Sequence, residues 1–191
     1  GVGVAGAAGD ACRRLGSRSG MPLIKRRVFF ALWPDPVTRA ALARATKATV
    51  ERAAGRATPQ QNLHVTLAFI GELGEGELIC VREISPPRVG RLDLAIDTLG
   101  YRKRAQLLWA APSTVPPALF ALEAGLWDRL ADIGIMRDRR AYLPHVTLAR
   151  RARPVSDTLK PVSWPVTEIV LVESTLGPPH SAYEVLETYS L

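Results

Sequence analysis

The tetrapeptide His-Val-Thr-Leu occurs twice in the chain, at residues 64–67 and again at residues 145–148. The two copies hold two of the three histidines in the sequence. Each copy lies within an apolar run that is typical of a β-strand, in which alternate side chains share one face. We therefore expect His64 and Thr66 on one face of a strand, and His145 and Thr147 on the matching face of another. A fold that brings these strands together would collect two imidazoles and two hydroxyls in one cleft.

The residues around the two tetrapeptides also follow a common order. Before the first copy, β-branched and aromatic residues at 27–32 predict a strand, and an Asp-Pro pair predicts the start of a helix over 37–52. Before the second copy, residues 106–110 predict a strand. A helix should follow it, with an apolar face formed by Leu119, Leu122, Leu126 and Leu130. The repeated unit is a strand, a helix and a histidine strand, which predicts an internal duplication with pseudo-twofold symmetry.

Further strands are predicted at 92–97, 167–172 and 183–186, and the last two flank a Gly-Pro-Pro turn. Because strands outnumber helices and suit antiparallel pairing, we predict an α+β fold. Its two lobes would each have a small antiparallel sheet, with helices on the outer face, around a central cleft. Residues 1–22, rich in Gly, Ala, Ser and Arg, are predicted to form a disordered tail, and residues 23–191 a single bilobal domain.

The formal net charge of +7 is unevenly distributed. Residues 1–27 carry six basic residues against one acidic residue, so the rest of the chain is closer to neutral. A second basic cluster brackets the second tetrapeptide and consists of Arg137, Arg139, Arg140, Arg150, Arg151 and Arg153. It is either a solvated basic face or an attractor for an anionic substrate, and the sequence leaves both possibilities open. No apolar run approaches the roughly 18 residues of a membrane span. We therefore expect no membrane association. The two scattered cysteines, Cys12 and Cys80, suggest no disulfide framework, so a reducing cytoplasm is the expected location, and a monomer is the default expectation.

Two imidazoles and two hydroxyls suit phosphate chemistry without a metal ion. In-line displacement at phosphorus needs a base on one side and an acid on the other, and histidine serves either role near neutral pH. Hydroxyl groups can donate hydrogen bonds to the charged phosphate oxygens. A metal hydrolase is the competing chemical possibility. The sequence contains no HExxH motif, no His-x-His motif and no closely spaced cysteine pair that would help to fill a zinc shell.

The paired His-x-Thr-x motifs resemble those of the 2H phosphoesterase superfamily. Residues 27–32, 62–71, 144–150, 173–176 and 183–186 are similar to the bacterial RNA 2',3'-cyclic phosphodiesterases, formerly described as 2'-5' RNA ligases. The resemblance implies a bilobal fold with both motifs facing a central cleft. It also implies hydrolysis of a 2',3'-cyclic phosphate end, on an RNA or a nucleotide, to a 2'-phosphomonoester. Neither a metal nor a cofactor is implied.

The resemblance assigns a role to each matching residue of the two motifs. His64 would be the proton donor to the departing 3' oxygen, and His145 would be the proton acceptor that activates water. Thr66 and Thr147 would hold the non-bridging phosphate oxygens. Arg150, which directly follows the second motif, would lie near the base or the phosphate.

Two alternatives would keep the same cleft. One is a non-catalytic module that binds RNA or a nucleotide, and the other is 2'-5' RNA ligation, which runs the reaction in reverse with the same residues. The chain also departs from the family pattern, because the closing loop at 177–182 has no arginine where relatives often carry basic residues. We therefore expect few contacts between this loop and an RNA chain.

Overall fold

The computed structural model describes residues 25–137, 140–178 and 180–191. The predicted tail at residues 1–22 and Arg139 of the basic cluster lie outside the described residues. The described strands are β1 (Arg26–Leu32), β2 (Arg56–Ala57), β3 (Val65–Leu73), β4 (Leu92–Ile96), β5 (Thr98–Arg102), β6 (Leu107–Ala111), β7 (Val146–Arg150), β8 (Val162–Val166), β9 (Glu168–Thr175) and β10 (Ala182–Ser190). The described helices are α1 (Pro36–Ala53), α2 (Glu75–Arg82) and α3 (Pro117–Asp132).

One large antiparallel sheet organises the described chain, with the strand order β10-β9-β1-β3-β7-β6-β5 and with β2 paired to β7. A second, two-stranded sheet pairs β4 with β8. The two histidine strands, β3 and β7, are neighbours at the centre and are joined through one residue pair, Val65 with Val146. The predicted α+β class is confirmed. The two antiparallel sheets predicted for the two lobes are joined through this pair into one large sheet.

The two long helices cover one face of this sheet. In β1, Val28, Phe30 and Leu32 are fully buried in the main core, together with Val65 and Val146 of the histidine strands. Helix α1 contacts β7 and β8, whereas α3 contacts β3. The helix of each repeated unit therefore packs on the histidine strand of the other unit: α1 packs on β7, and α3 packs on β3. The alternate side chains of β3 and β7 are left on the opposite face, which we call the cleft face.

The predicted start of α1 and the predicted apolar face of α3 are both confirmed. The Asp35 side chain accepts hydrogen bonds from the main-chain N–H groups of Val37 (2.8 Å) and Thr38 (3.0 Å), and Pro36 is the first helical residue of α1. The apolar face predicted for α3 is fully buried, and it consists of Leu119, Leu122, Leu126 and Leu130. These helices are stable because each buries an apolar stripe on the sheet.

Three strands were not predicted from the sequence. β2 is a two-residue strand that pairs with β7. β5 lies at the edge of the large sheet, where it pairs with β6. β8 contains Pro165, which pairs with Asp93 of β4 in the two-stranded sheet. A proline cannot donate to a strand ladder, and it is therefore tolerated at an edge. No helix among the described residues is long and apolar enough to cross a membrane.

Candidate active site

The two motifs occupy equivalent places in the sheet. His64 directly precedes β3 and His145 directly precedes β7. In each motif the histidine and the threonine are half-buried on the cleft face, while the valine and the leucine are buried. Because Val65 lies opposite Val146 in an antiparallel pair, the register places His64 opposite Thr147 and Thr66 opposite His145. The two histidines are thus diagonal neighbours, which are typically ~7–8 Å apart. All four predicted side chains therefore share one site.

The same hydrogen bond orients each imidazole ring. Nδ1 of His64 lies 2.7 Å from the main-chain oxygen of Asn62, and Nδ1 of His145 lies 2.7 Å from that of Leu143. A carbonyl oxygen can only accept, so Nδ1 carries the hydrogen in both rings. In the neutral ring Nε2 is then an unprotonated acceptor. Nε2 of His64 lies 3.1 Å from the hydroxyl oxygen of Thr66. Nε2 is therefore the nitrogen that can accept a proton in each neutral ring.

The surroundings of the two histidines differ. The His64 ring stacks on Phe29 and Trp33, with centroid distances of 5.0 and 5.6 Å, and meets the edge of Tyr183 at 5.5 Å. The His145 ring makes an edge contact with Trp109 at 6.2 Å. Aromatic side chains of the protein thus pack closely around His64, whereas the flank of His145 borders an open pocket of about 270 Å³.

The surroundings lower the pKa of both imidazoles below that of free histidine. Burial lowers the pKa of His64 to about 4; its hydrogen bond to Asn62 raises the pKa, and the charges of His145 and Arg150 lower it. Burial also lowers the pKa of His145, and the charges of Arg102 and Arg150 add to that effect. Both rings are therefore mainly neutral near pH 7. An anion bound between them would favour the protonated forms.

We expect an anion in the cleft to raise the pKa of His64 from about 4 by roughly one to three pH units. The direction follows because a negative charge stabilises the imidazolium more than the neutral ring, so binding is accompanied by proton uptake. Sulfate is a suitable probe because it stays charged across the titration. NMR titration of the imidazole nitrogens, with and without saturating sulfate, measures the change, and His145→Gln removes the neighbouring titration as a control. An unchanged pKa with sulfate bound would contradict this placement of His64.

Arg150 lies within electrostatic reach of both motifs. It ends β7 and is exposed, and its charge lowers the pKa of His64 and that of His145. It also lowers the pKa of Tyr183, although burial raises that pKa more strongly. A cation near both imidazoles is suitably placed to attract a phosphate group. The basic cluster around the second motif is therefore not uniform, since Arg137 instead forms a 2.8 Å ion pair with the buried Glu123.

Several residues of the site were not predicted from the sequence, namely Asn62, Trp33, Tyr183, Trp109 and Arg102. Asn62 orients His64 through its main chain, which carries no sequence signal. Trp33 continues the alternation of β1, in which odd-numbered residues share the cleft face with His64. That alternation could have identified it. Tyr183 reaches the cleft because β9, its hairpin partner, pairs with the distant β1, and Trp109 does so because it pairs with the distant Thr147.

The pocket beside His145 lies on the cleft face. Trp109 pairs with Thr147, and Gly100 pairs with Trp109, so the three residues share one face of neighbouring strands. The pocket is lined by Thr98, Arg102, Trp109, Ala111, Pro112, Ser113, Val115, Leu143, Pro144 and His145. Its walls are mainly apolar, with Arg102 supplying a positive charge. The site therefore has room for an organic group next to His145.

Gly100 leaves space for the Trp109 ring. A Cβ atom at this position would lie 1.9 Å from the nearest atom of that ring. We expect Gly100→Ala to lower the free energy of unfolding by about 2–3 kcal/mol, and to lower activity because the displaced ring contacts His145. Thermal or urea unfolding measures the first effect. Gly177→Ala is the matched control for stability, because nothing lies within 4 Å of its added Cβ. Equal stability of Gly100→Ala and the unmodified protein would show that Trp109 does not occupy this position.

No group of three or more His, Cys, Asp or Glu side chains that could hold a metal ion occurs among the residues described.

Comparisons with known proteins identify relatives that share one name, although they find no matching family model. No family model matches the chain. The chain is 31% identical over 179 residues to an RNA 2',3'-cyclic phosphodiesterase of Thermus thermophilus. The aligned region covers 86% of this chain and 90% of the relative. It is also 30% identical over 142 residues to an RNA 2',3'-cyclic phosphodiesterase of Escherichia coli, and that aligned region covers 72% of this chain and 81% of the relative.

Solved structures show the same likeness. The crystal structure of E. coli LigT complexed with 3'-AMP superposes with a TM-score of 0.76 at 26% identity, over 87% of this chain and 98% of LigT. The crystal structure of TT0787 of Thermus thermophilus superposes with a TM-score of 0.71 at 27% identity, over 86% and 97% of the two chains.

Proposed function

The chain belongs to the family of RNA 2',3'-cyclic phosphodiesterases, and from that premise we propose that it opens 2',3'-cyclic phosphate ends by two-histidine acid–base catalysis. The enzyme is a phosphoric diester hydrolase. The proposed product is a 2'-phosphomonoester, and the proposed partner is an RNA or a nucleotide that carries the cyclic end. We propose that the enzyme acts as a monomer in the cytoplasm, without metal or cofactor.

The proposed reaction is an in-line displacement at phosphorus. Nε2 of His145 accepts a proton from water as the water oxygen bonds to phosphorus. The bond between phosphorus and the 3' oxygen breaks on the opposite side, and Nε2 of His64 donates a proton to that oxygen. One proton enters at His145 and one leaves from His64, so the enzyme returns to its starting state after proton exchange with solvent. The two hydrogen bonds from Nδ1 to main-chain carbonyls support this assignment, because they hold Nε2 as the reactive atom in both rings.

His64 can serve as the acid although its pKa before substrate binds is about 4. The bound phosphodiester is an anion, and its charge favours a proton on the adjacent imidazole. The proton for the leaving group thus arrives together with the substrate. Packing among aromatic rings limits solvation of the imidazolium, so a proton held there is readily donated as negative charge builds on the 3' oxygen.

Charge on the phosphorane-like transition state needs donors that are already in place. We propose that the hydroxyls of Thr66 and Thr147 donate to the non-bridging oxygens, since both threonines share the cleft face with the histidines. Arg150 adds a fixed positive charge near both imidazoles. Hydrogen-bond donors that are already oriented stabilise the transition state most effectively, because no free energy is needed to reorganise them during the reaction.

The observation that carries this proposal is the pairing of Val65 with Val146, which brings the two motifs together. The test is hydrolysis of an RNA oligonucleotide ending in a 2',3'-cyclic phosphate, with EDTA present, followed by phosphorus NMR of the product. We expect undiminished turnover and a 2'-phosphate, because both proton transfers use histidine and neither uses a metal-bound water.

The same assay separates the alternatives. Loss of turnover in EDTA, restored by added divalent ions, would favour a metal hydrolase. Binding of the oligonucleotide without turnover would favour a binding module. A second RNA with a free 5' hydroxyl is included at high concentration, and formation of a longer product with a 2'-5' linkage would reveal ligation.

A further inference from the structure

The main-chain carbonyl that orients the imidazole of each motif is held in place differently in the two halves. In the first half, Asn62 ends a short 3-10 helix and is buried, and the next residue, Leu63, is buried as well. In the second half the equivalent residue, Leu143, is 63% exposed, and residues 141–145 belong to no helix, strand or turn. The position of the Leu143 carbonyl must therefore be fixed by its neighbours along the chain.

Tyr142, the residue directly before Leu143, packs into the molecule at this point. Its ring meets the edge of Phe120 in α3, with a centroid distance of 6.3 Å. Its hydroxyl is buried and has no hydrogen-bond partner among the described residues. Burial, together with the charge of Glu123, raises the pKa of Tyr142, so the polar end of the ring lies near α3. A buried hydroxyl without a partner costs free energy, and it is therefore packing of the ring that holds Tyr142 in place.

A second contact ties the same stretch of chain to α3. The carboxylate of Glu123 is almost completely buried and forms a 2.8 Å ion pair with Arg137, five residues before Tyr142. Phe120 and Glu123 are three residues apart in α3, so they lie on the same side of the helix. Two points of attachment, Arg137 and Tyr142, thus hold the chain that leads to His145 against one side of α3.

We propose that Tyr142 is a positioning residue for His145. It acts through Leu143, because its ring fixes the carbonyl that accepts the hydrogen bond from Nδ1 of His145. That hydrogen bond leaves Nε2 free to accept the proton of the attacking water. The proposal rests on the function proposed above and deepens it, since it names the side chain that prepares the base. Without the ring, the carbonyl would no longer select the tautomer that carries hydrogen on Nδ1.

NMR of the imidazole nitrogens measures the tautomer of each histidine without substrate. In the unmodified protein, above the pH at which the rings titrate, we expect hydrogen on Nδ1 in both rings, because each Nδ1 faces a carbonyl oxygen. In Tyr142→Ala, the tautomer of His145 with hydrogen on Nε2 should gain population. His64 should keep its tautomer and serves as the control within the same molecule. Tyr142→Phe keeps the ring and should leave both histidines unchanged.

The kinetic effect should follow the tautomer. We expect Tyr142→Ala to lower kcat for a 2',3'-cyclic phosphate end by roughly 10- to 100-fold. KM should change little, since Tyr142 does not line the pocket beside His145. Tyr142→Phe should retain kcat and raise the unfolding midpoint, because a phenyl ring needs no hydrogen-bond partner. Tyr189→Ala is the matched control, since it removes a half-buried tyrosine that packs against Phe30 in the main core. It should lower the unfolding midpoint and leave kcat and the His145 tautomer unchanged.

The outcomes separate this positioning role from the proposed function. An unchanged His145 tautomer in folded Tyr142→Ala would overturn the positioning role, whether or not the enzyme turns over. Loss of the Nδ1–H tautomer in Tyr142→Phe would also overturn it, because packing of the ring would then not be what holds the carbonyl. If Tyr142→Ala does not fold, Tyr142→Leu takes its place, since leucine keeps apolar volume without the planar ring and should show the same gain. Absence of turnover in the unmodified protein would overturn the function, and the tautomer would still decide the positioning role.

Discussion

Replacing either motif histidine with alanine is expected to lower kcat/KM for a 2',3'-cyclic phosphate end by ~10²- to 10⁴-fold. Each change removes one of the two proton transfers, and water substitutes poorly for a positioned imidazole. The double variant should be little worse than the worse single variant, because groups that act in one step are not additive. Steady-state kinetics on the oligonucleotide ending in a cyclic phosphate measures all three variants.

The pH profile supplies a readout that a structural defect would not give. The unmodified enzyme should show a bell-shaped dependence of kcat/KM on pH, and each single variant should lose one limb of it. His64→Gln and His145→Gln keep much of the side-chain volume and should show the same losses. Arg91→Gln changes an exposed arginine that pairs with Asp93 and lies outside the pocket beside His145, so it should retain full activity. If either alanine variant kept the rate and both limbs of the profile, paired-histidine catalysis would be wrong.

The centre of the fold was predictable because the repeat imposes it. Two histidine strands with the same alternation must each bury valine and leucine, so histidine and threonine share the other face. The structure confirms this for His64, Thr66, His145 and Thr147. The helices were predictable for an independent reason, since the Asp35 cap and the leucine spacing of α3 are local signals.

The pairing partners were harder to predict, because they depend on contacts between distant residues. Nothing in the sequence indicates that β3 and β7 meet through one pair, or that Arg56 lies opposite Arg150. The edge strand β8 contains a proline, which argues locally against a strand. The asymmetry between the aromatic surroundings of His64 and the open flank of His145 likewise arises from non-local packing.

The duplication accounts for the equivalent placement of the two histidines, and the differing side chains around them account for their unequal environments. In the proposed mechanism, pseudo-twofold symmetry supplies two equivalent Nε2 atoms on opposite sides of one phosphate position. The main-chain hydrogen bonds from Nδ1 are the same in both halves. The side chains around the rings differ, so one half can favour donation and the other acceptance of a proton. We propose that a symmetric scaffold with unequal flanks separates the acid from the base in this way, because in-line displacement needs one of each.

Replacing either motif threonine with valine is expected to lower kcat by ~10²-fold, because each hydroxyl is proposed to stabilise charge that develops on a non-bridging oxygen. Valine is close to threonine in shape and keeps the β-strand preference, so the fold should be retained. KM should change less than kcat, since the charge on phosphorus is greatest in the transition state. Thr66→Val should also alter the pH profile, because the Thr66 hydroxyl lies 3.1 Å from Nε2 of His64.

Two further variants decide between a catalytic and a structural role for these hydroxyls. Serine at either position retains the hydroxyl and should recover most of the rate lost in the valine variant. Thr46→Val removes a buried hydroxyl that donates to the main-chain oxygen of Leu42 at 2.8 Å, within α1 and away from the cleft. That change should lower stability and leave kcat unaffected. If valine and serine at position 66 or 147 gave the same kcat, the hydroxyl would not contact the transition state, and positive charge from His64 and Arg150 would have to stabilise the phosphate oxygens instead.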